Sequence, residues 1–143
     1  MISELNSIEK SRQIWWKLRP HMDFGTIEFR MCDGQRSLHN IKMLAALCQA
    51  LTYQSYIDYK EGSLHEDFSM IFLNDALWKA SRFDLNALVY DEILDENISI
   101  SHLIKVMIDY ATPALKYFSN KDIISTVDNI ILNGTECDAQ MKI

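Results

Sequence analysis

Glycine and proline are scarce in this chain of 143 residues, at four and two. Long flexible or disordered linkers are therefore not expected. Cysteine is scarce as well: Cys32, Cys48 and Cys137 make an odd number with no CxxC spacing. That excludes a disulfide framework and the usual zinc site, and fits reduced thiols. The four histidines, His21, His39, His65 and His102, show no HExxH spacing. No apolar run approaches the ~20 residues that a membrane span needs. The N-terminus lacks a charged region followed by an apolar stretch, so no signal peptide is expected. Positive charge is lacking too. The net charge is −6, and no basic patch stands out of the kind a nucleic-acid binder carries. The sequence thus suggests a cytoplasmic chain that takes small molecules, with neither nucleic acid nor membrane as partner.

What is present is one domain's worth of apolar residues in a readable order. Residues 3–13 form a polar lead-in or short helix. The stretch "WWKLRPHMDFGTIEFRMCD", residues 15–33, reads as two strands around a loop. Residues 14–19 alternate, Pro20 ends the run, and residues 26–32 alternate again. Adjacent strands pair most simply as an antiparallel hairpin, and a tight register puts Lys17 near Glu28 and Trp15 near Arg30. Side chains two apart on a strand share a face, so Glu28 and Arg30 lie together, opposite Ile27, Phe29 and Met31.

Asp33-Gly34 is a turn signal, and Ser37 is placed to cap a helix that Gly62 ends. Its expected buried stripe is Leu38, Ile41, Leu44, Ala45, Cys48, Leu51 and Thr52. The alanine-rich centre "LAALCQAL" suits close packing against a sheet or another helix. "DFSMIFLNDALWKASRF" gives a second helical stripe through Phe68, Ile71, Phe72, Ala76, Leu77 and Ala80. Residues 84–95 read as a short helix and a loop. Ser101 caps a third helix through Leu103, Ile104, Met107 and Tyr110, and Thr112-Pro113 restarts it. Asn120 caps the last helix, Gly134 closes it, and the tail from Thr135 is loose. Trp15, Trp16 and Trp78 read as packing residues. The expected fold class is α+β: a single domain over 1–143, with strands at about 14–32 followed by mainly helical structure at about 37–133. A lone hairpin is marginal in water, so the sheet is expected to be part of something larger.

The segment "WWKLRPHMDFGTIEFRMCDGQRSLHNIKMLAALCQAL" resembles the catalytic segment of ATP-dependent carboxylate–amine ligases of the glutamate–cysteine ligase-like type. Those proteins carry W-D-[IV]-R-P, then GT-[IV]-E-[IVF]-R-V-[CM]-D, then a long helix. Their later motif N-[RK]-W-x-A-[SA]-R-[YF]-G-L is similar to "NDALWKASRFDL" at residues 74–85. More distantly, "TIEFRMCDG" is similar to a segment of glutamine synthetases. Among the departures from the motifs, Lys17 replaces the Asp of W-D, and Asp84 replaces the Gly after R-[YF].

The resemblance implies that the hairpin belongs to a larger glutamine-synthetase-like sheet and that the chain is the C-terminal portion of a ligase. It implies Glu28 as a Mg²⁺ ligand and Arg30 as the catalytic arginine, contacting a substrate carboxylate or the transferred phosphoryl group. Arg19, Arg30 and Arg82 are the implied substrate- or ATP-binding residues. The implied reaction forms an acyl phosphate on an amino acid carboxylate, glutamate in the nearest pattern, which an amine such as cysteine then displaces to give an amide. Hard Mg²⁺ prefers carboxylate oxygens, and arginine offers a planar fork to phosphate or carboxylate. The further metal-binding acids of such ligases, in a G-[IV]-E-x-E strand, have no counterpart here. A separate N-terminal half, or a second copy, is the implied completing partner, and this chain alone is not expected to be active. The rival reading is a non-catalytic helical module for assembly or regulation.

Overall fold

A computed structural model describes residues 15–141, and the expectation for residues 3–13 lies outside them. The chain divides into two compact units, residues 1–35 and 36–143. The fold class is α+β, with two antiparallel hairpins and a mostly helical remainder.

In the first unit, β1 (Leu18–His21) pairs with β2 (Thr26–Phe29), joined by residues 22–25. Gly25 takes φ 59°, the left-handed conformation that glycine adopts without steric cost. The register is Leu18↔Phe29, Arg19↔Glu28, Pro20↔Ile27 and His21↔Thr26. It differs from the tight register expected: Arg19, not Lys17, faces Glu28. Pro20 lies within the strand rather than ending it. The Arg30 amide donates to the Lys17 carbonyl (2.9 Å), so that pair is hydrogen-bonded. Alternation then makes Pro20↔Ile27 a non-hydrogen-bonded pair, where a missing N–H costs the ladder nothing. One face carries Lys17, Arg19, His21, Thr26, Glu28 and Arg30. The other carries Leu18, Pro20, Ile27 and Phe29, and Leu18 and Ile27 are nearly half exposed. That apolar face is therefore only partly buried.

The second unit is built on three helices. α1 (Leu38–Glu61), α3 (Ile100–Tyr117) and α4 (Ile123–Asn133) share one core. Gly62 at φ 71° ends α1; its amide donates to Tyr59 and that of Ser63 to Asp58, the paired bonds of a Schellman cap. α1 buries Met43, Ala46, Leu47 and Ala50. That stripe lies about one residue round from the expected one, and Leu38 is 80% exposed. α1 has apolar residues on several sides, so periodicity alone does not select the packed face. Its buried alanines share the core with Ala111 and Ala114 of α3, in keeping with the helix packing that "LAALCQAL" suggested. α3 runs unbroken through Pro113, against the expected restart. The ring removes one helical hydrogen bond, at about 3 kcal/mol. Burial of Ala111, Ala114 and Leu115 on both sides of it outweighs that cost.

Between these helices lie α2 (Met70–Phe83), a 3₁₀ turn (Asp84–Asn86), and β3 (Leu88–Asp91) paired with β4 (Glu96–Ser99). The 3₁₀ turn begins the short helix and loop expected over 84–95, and the second hairpin replaces the rest. Val89 and Ile98 are its facing buried pair, and the Asp91 carboxylate accepts from the Ile93 and Leu94 amides to shape the turn. Among the described residues α2 buries none of its stripe fully. Ser99 rather than Ser101 caps α3, accepting from the His102 amide at 3.1 Å. Asp122 rather than Asn120 occupies the cap position of α4, and Gly134 closes that helix as expected. The tail from Thr135 is helical, not loose, over α5 (Glu136–Met141). Thr135 and Asp138 exchange side-chain and amide hydrogen bonds at its start, a reciprocal cap.

Candidate functional site

The polar face of the first hairpin gathers charges because strand alternation and register act together. Glu28 and Arg30 share that face through their spacing on one chain segment. Arg19 joins them because it stands directly across from Glu28. Its Nη2 and Nε approach Glu28 Oε2 at 2.6 and 2.7 Å. The Arg19 side chain is only 17% exposed, whereas that of Glu28 is 47% exposed. The guanidinium of Arg30 lies 4.7 Å from the centre of the Trp15 ring, a cation–π contact that holds it over the same face. Trp15 is itself 80% exposed, and Trp16 and Trp78 are more than half exposed, so the packing expected of the three tryptophans does not place them in a buried core.

His21 also belongs to this face, two residues from Arg19. It stacks on Phe24 with ring centres 4.4 Å apart. Its Nδ1 is enclosed and has no hydrogen-bond partner among the described residues. Sequence reasoning passed over His21 because a lone histidine carries no spacing signal; only the register aligns it with Arg19. Arg82 sits in the last turn of α2, in the unit of residues 36–143, beside the edge-to-face pair Trp78–Phe83.

The face is net basic, with Lys17, Arg19 and Arg30 against Glu28. Such a surface suits an anion, and the guanidiniums suit phosphate or carboxylate oxygens. Glu28 is a hard oxygen donor of the type Mg²⁺ prefers. Both Arg19 contacts converge on Oε2. No group of three or more His, Cys, Asp or Glu side chains that could hold a metal ion occurs among the described residues. Glu28 can therefore supply one ligand and not a whole coordination shell.

The sequence profile of glutamate-cysteine ligase family 2 (GCS2) matches residues 1–142. The chain belongs to that family. Its relatives include proteins named "Putative glutamate--cysteine ligase 2" from Sorangium cellulosum (26% identical over 143 residues), Solibacter usitatus (25% over 143) and Chloroflexus aurantiacus (27% over 136). The matches cover 95–100% of this chain but only 35–38% of those proteins. This glutamate–cysteine ligase family chain thus spans little more than a third of its relatives' length. Among its described residues no helix is long and apolar enough to cross a membrane.

Proposed function

We propose that the chain carries part of the active site of an ATP- and Mg²⁺-dependent ligase that works in the cytoplasm. The ligase joins an amino acid carboxylate, glutamate, to the amine of cysteine through an acyl phosphate. The observation that supports this most is the common face of Glu28, Arg30 and Arg19 in a member of the glutamate–cysteine ligase family.

In this reading Arg30, held by Trp15, binds and orients the carboxylate or the phosphoryl group moving onto it. Arg19 neutralises Glu28 and lies within reach of the same anion. Arg82 serves nucleotide or substrate. Glu28 contributes one carboxylate to Mg²⁺, whose role when bound is to offset charge on the transferred phosphoryl. The remaining metal-binding acids come from a partner, either the missing part of the ligase or a second copy. Without them the chain does not turn over.

Calorimetric titration with Mg·ATP tests the proposal. Weak binding that both Glu28→Ala and Arg30→Ala abolish is the expected result. Binding that neither variant changes, or none at millimolar nucleotide, favours a non-catalytic assembly module.

A further inference from the structure

A cavity of about 450 Å³ lies within the unit of residues 36–143, between the end of α1, α2, the β3–β4 hairpin and α3. Its volume falls within the roughly 300–1,000 Å³ of small-molecule sites. Phe68, Phe72, Leu103, Val106 and Met107 give it an apolar wall, and Val89, 1% exposed, forms part of the floor.

The charged groups along the wall are unequally occupied. No lysine or arginine is among the lining residues; the acids are Asp58, Asp91 and Glu92, with His65 the one imidazole. Glu92 gives both oxygens to the Ser69 amide at 2.9 and 3.1 Å. Asp91 is held by two turn amides. Among the described residues the side-chain donors to the Asp58 carboxylate are neutral, Gln54 Nε2 at 3.0 Å and Tyr110 Oη at 2.5 Å. Burial, followed by this bond to Asp58, pushes the Tyr110 hydroxyl above its ordinary range, so it remains the donor. Asp58 forms no ion pair among the described residues. A partly buried carboxylate beside an apolar wall, with no cation of its own, selects a ligand that brings one.

We propose that this cavity binds a small organic amine, its apolar body against Phe72 and Met107 and its ammonium on Asp58. The site goes beyond the ligase reading and uses none of its residues. A charge-assisted hydrogen bond of this kind favours the cation over a neutral isostere by about tenfold.

Calorimetry on the full chain with three probes of one shape tests it: 2-phenylethylammonium, 2-phenylethanol and 3-phenylpropionate. The amine is expected to bind about tenfold more tightly than the alcohol, and the carboxylate more weakly than either. Asp58→Asn should bring the amine to the level of the alcohol and leave the alcohol unchanged. Val106→Trp, which fills the cavity from a part-exposed position, should remove binding of both. Equal binding of all three probes, a carboxylate that binds best, or no binding at millimolar concentration overturns the proposal. The probe series on the unaltered chain decides the question even if Asp58→Asn does not fold.

Discussion

Asp84 adopts φ 61° and ψ −159°, a backbone region that is almost exclusively glycine's. It stands where the ligase motif carries glycine, immediately after Arg82-Phe83. The strain is worth ~1–3 kcal/mol, and the greater freedom of an unfolded glycine offsets ~0.5–1 of that. Asp84→Gly should therefore raise stability by about 1 kcal/mol, read from urea unfolding midpoints; an unchanged or lower midpoint would show that the turn is not strained. The other instructive residue is Arg30, whose face was legible from its spacing to Glu28. Its nearness to Trp15 was legible too, from the expected pairing of the two strands; the cation–π contact itself is what the structure adds. Trp15→Ala should free the guanidinium, seen as faster Nε motion in NMR relaxation, with a loss of at most about 1 kcal/mol. Unaltered Nε dynamics would mean that the stacking does not hold Arg30.

At the scale of elements, the parts with strong local chemistry were readable and those decided by packing were not. The Gly62 stop, the Gly134 stop and the existence of α1–α4 follow from caps and helical spacing. The register of β1–β2 depended on a loop whose left-handed Gly25 fixes its length, and so Arg19 rather than Lys17 met Glu28. The β3–β4 hairpin is four residues a side and buries one facing pair, Val89 and Ile98, too little alternation to see. The continuation of α3 through Pro113 is a tertiary effect, invisible to a local rule. The start of α5 carried a signal that was overlooked, the Thr135-x-x-Asp138 spacing of a reciprocal cap. Lys42 of α1 hydrogen-bonds and pairs with Asp122 at the head of α4, which holds the Asp122 carboxyl below its ordinary 3.8. A depressed folded-state value means that the pair stabilises above that pH and is lost as pH falls through the lower folded value. The pair is exposed, so its effect is small. Lys42→Ala should lower the thermal midpoint slightly at pH 7 and not at all near pH 2. A deficit that persists at pH 2 would assign the effect to packing of the lysine stem.

The whole molecule joins two kinds of structure. The second unit has a genuine core in α1, α3 and α4, with Leu115 fully enclosed. Leu115→Ala should cost about 2–5 kcal/mol, measured by denaturant unfolding of the helical signal; a loss below 1 kcal/mol would mean that the core is not where this fold places it. The first unit has a charged face and a half-open apolar one, which suits a part of a larger assembly better than a free-standing sheet. That matches a chain spanning 35–38% of the relatives named here. The central claim is that Glu28 and Arg30 together meet metal-bound nucleotide. Its most direct test is the amide NMR spectrum of the chain during titration with Mn²⁺ and ATP, the paramagnetic ion reporting its own position. Broadening that begins at the amides of residues 26–30 and disappears in Glu28→Ala is the predicted result. Sharp signals along that strand while amides elsewhere broaden would contradict it.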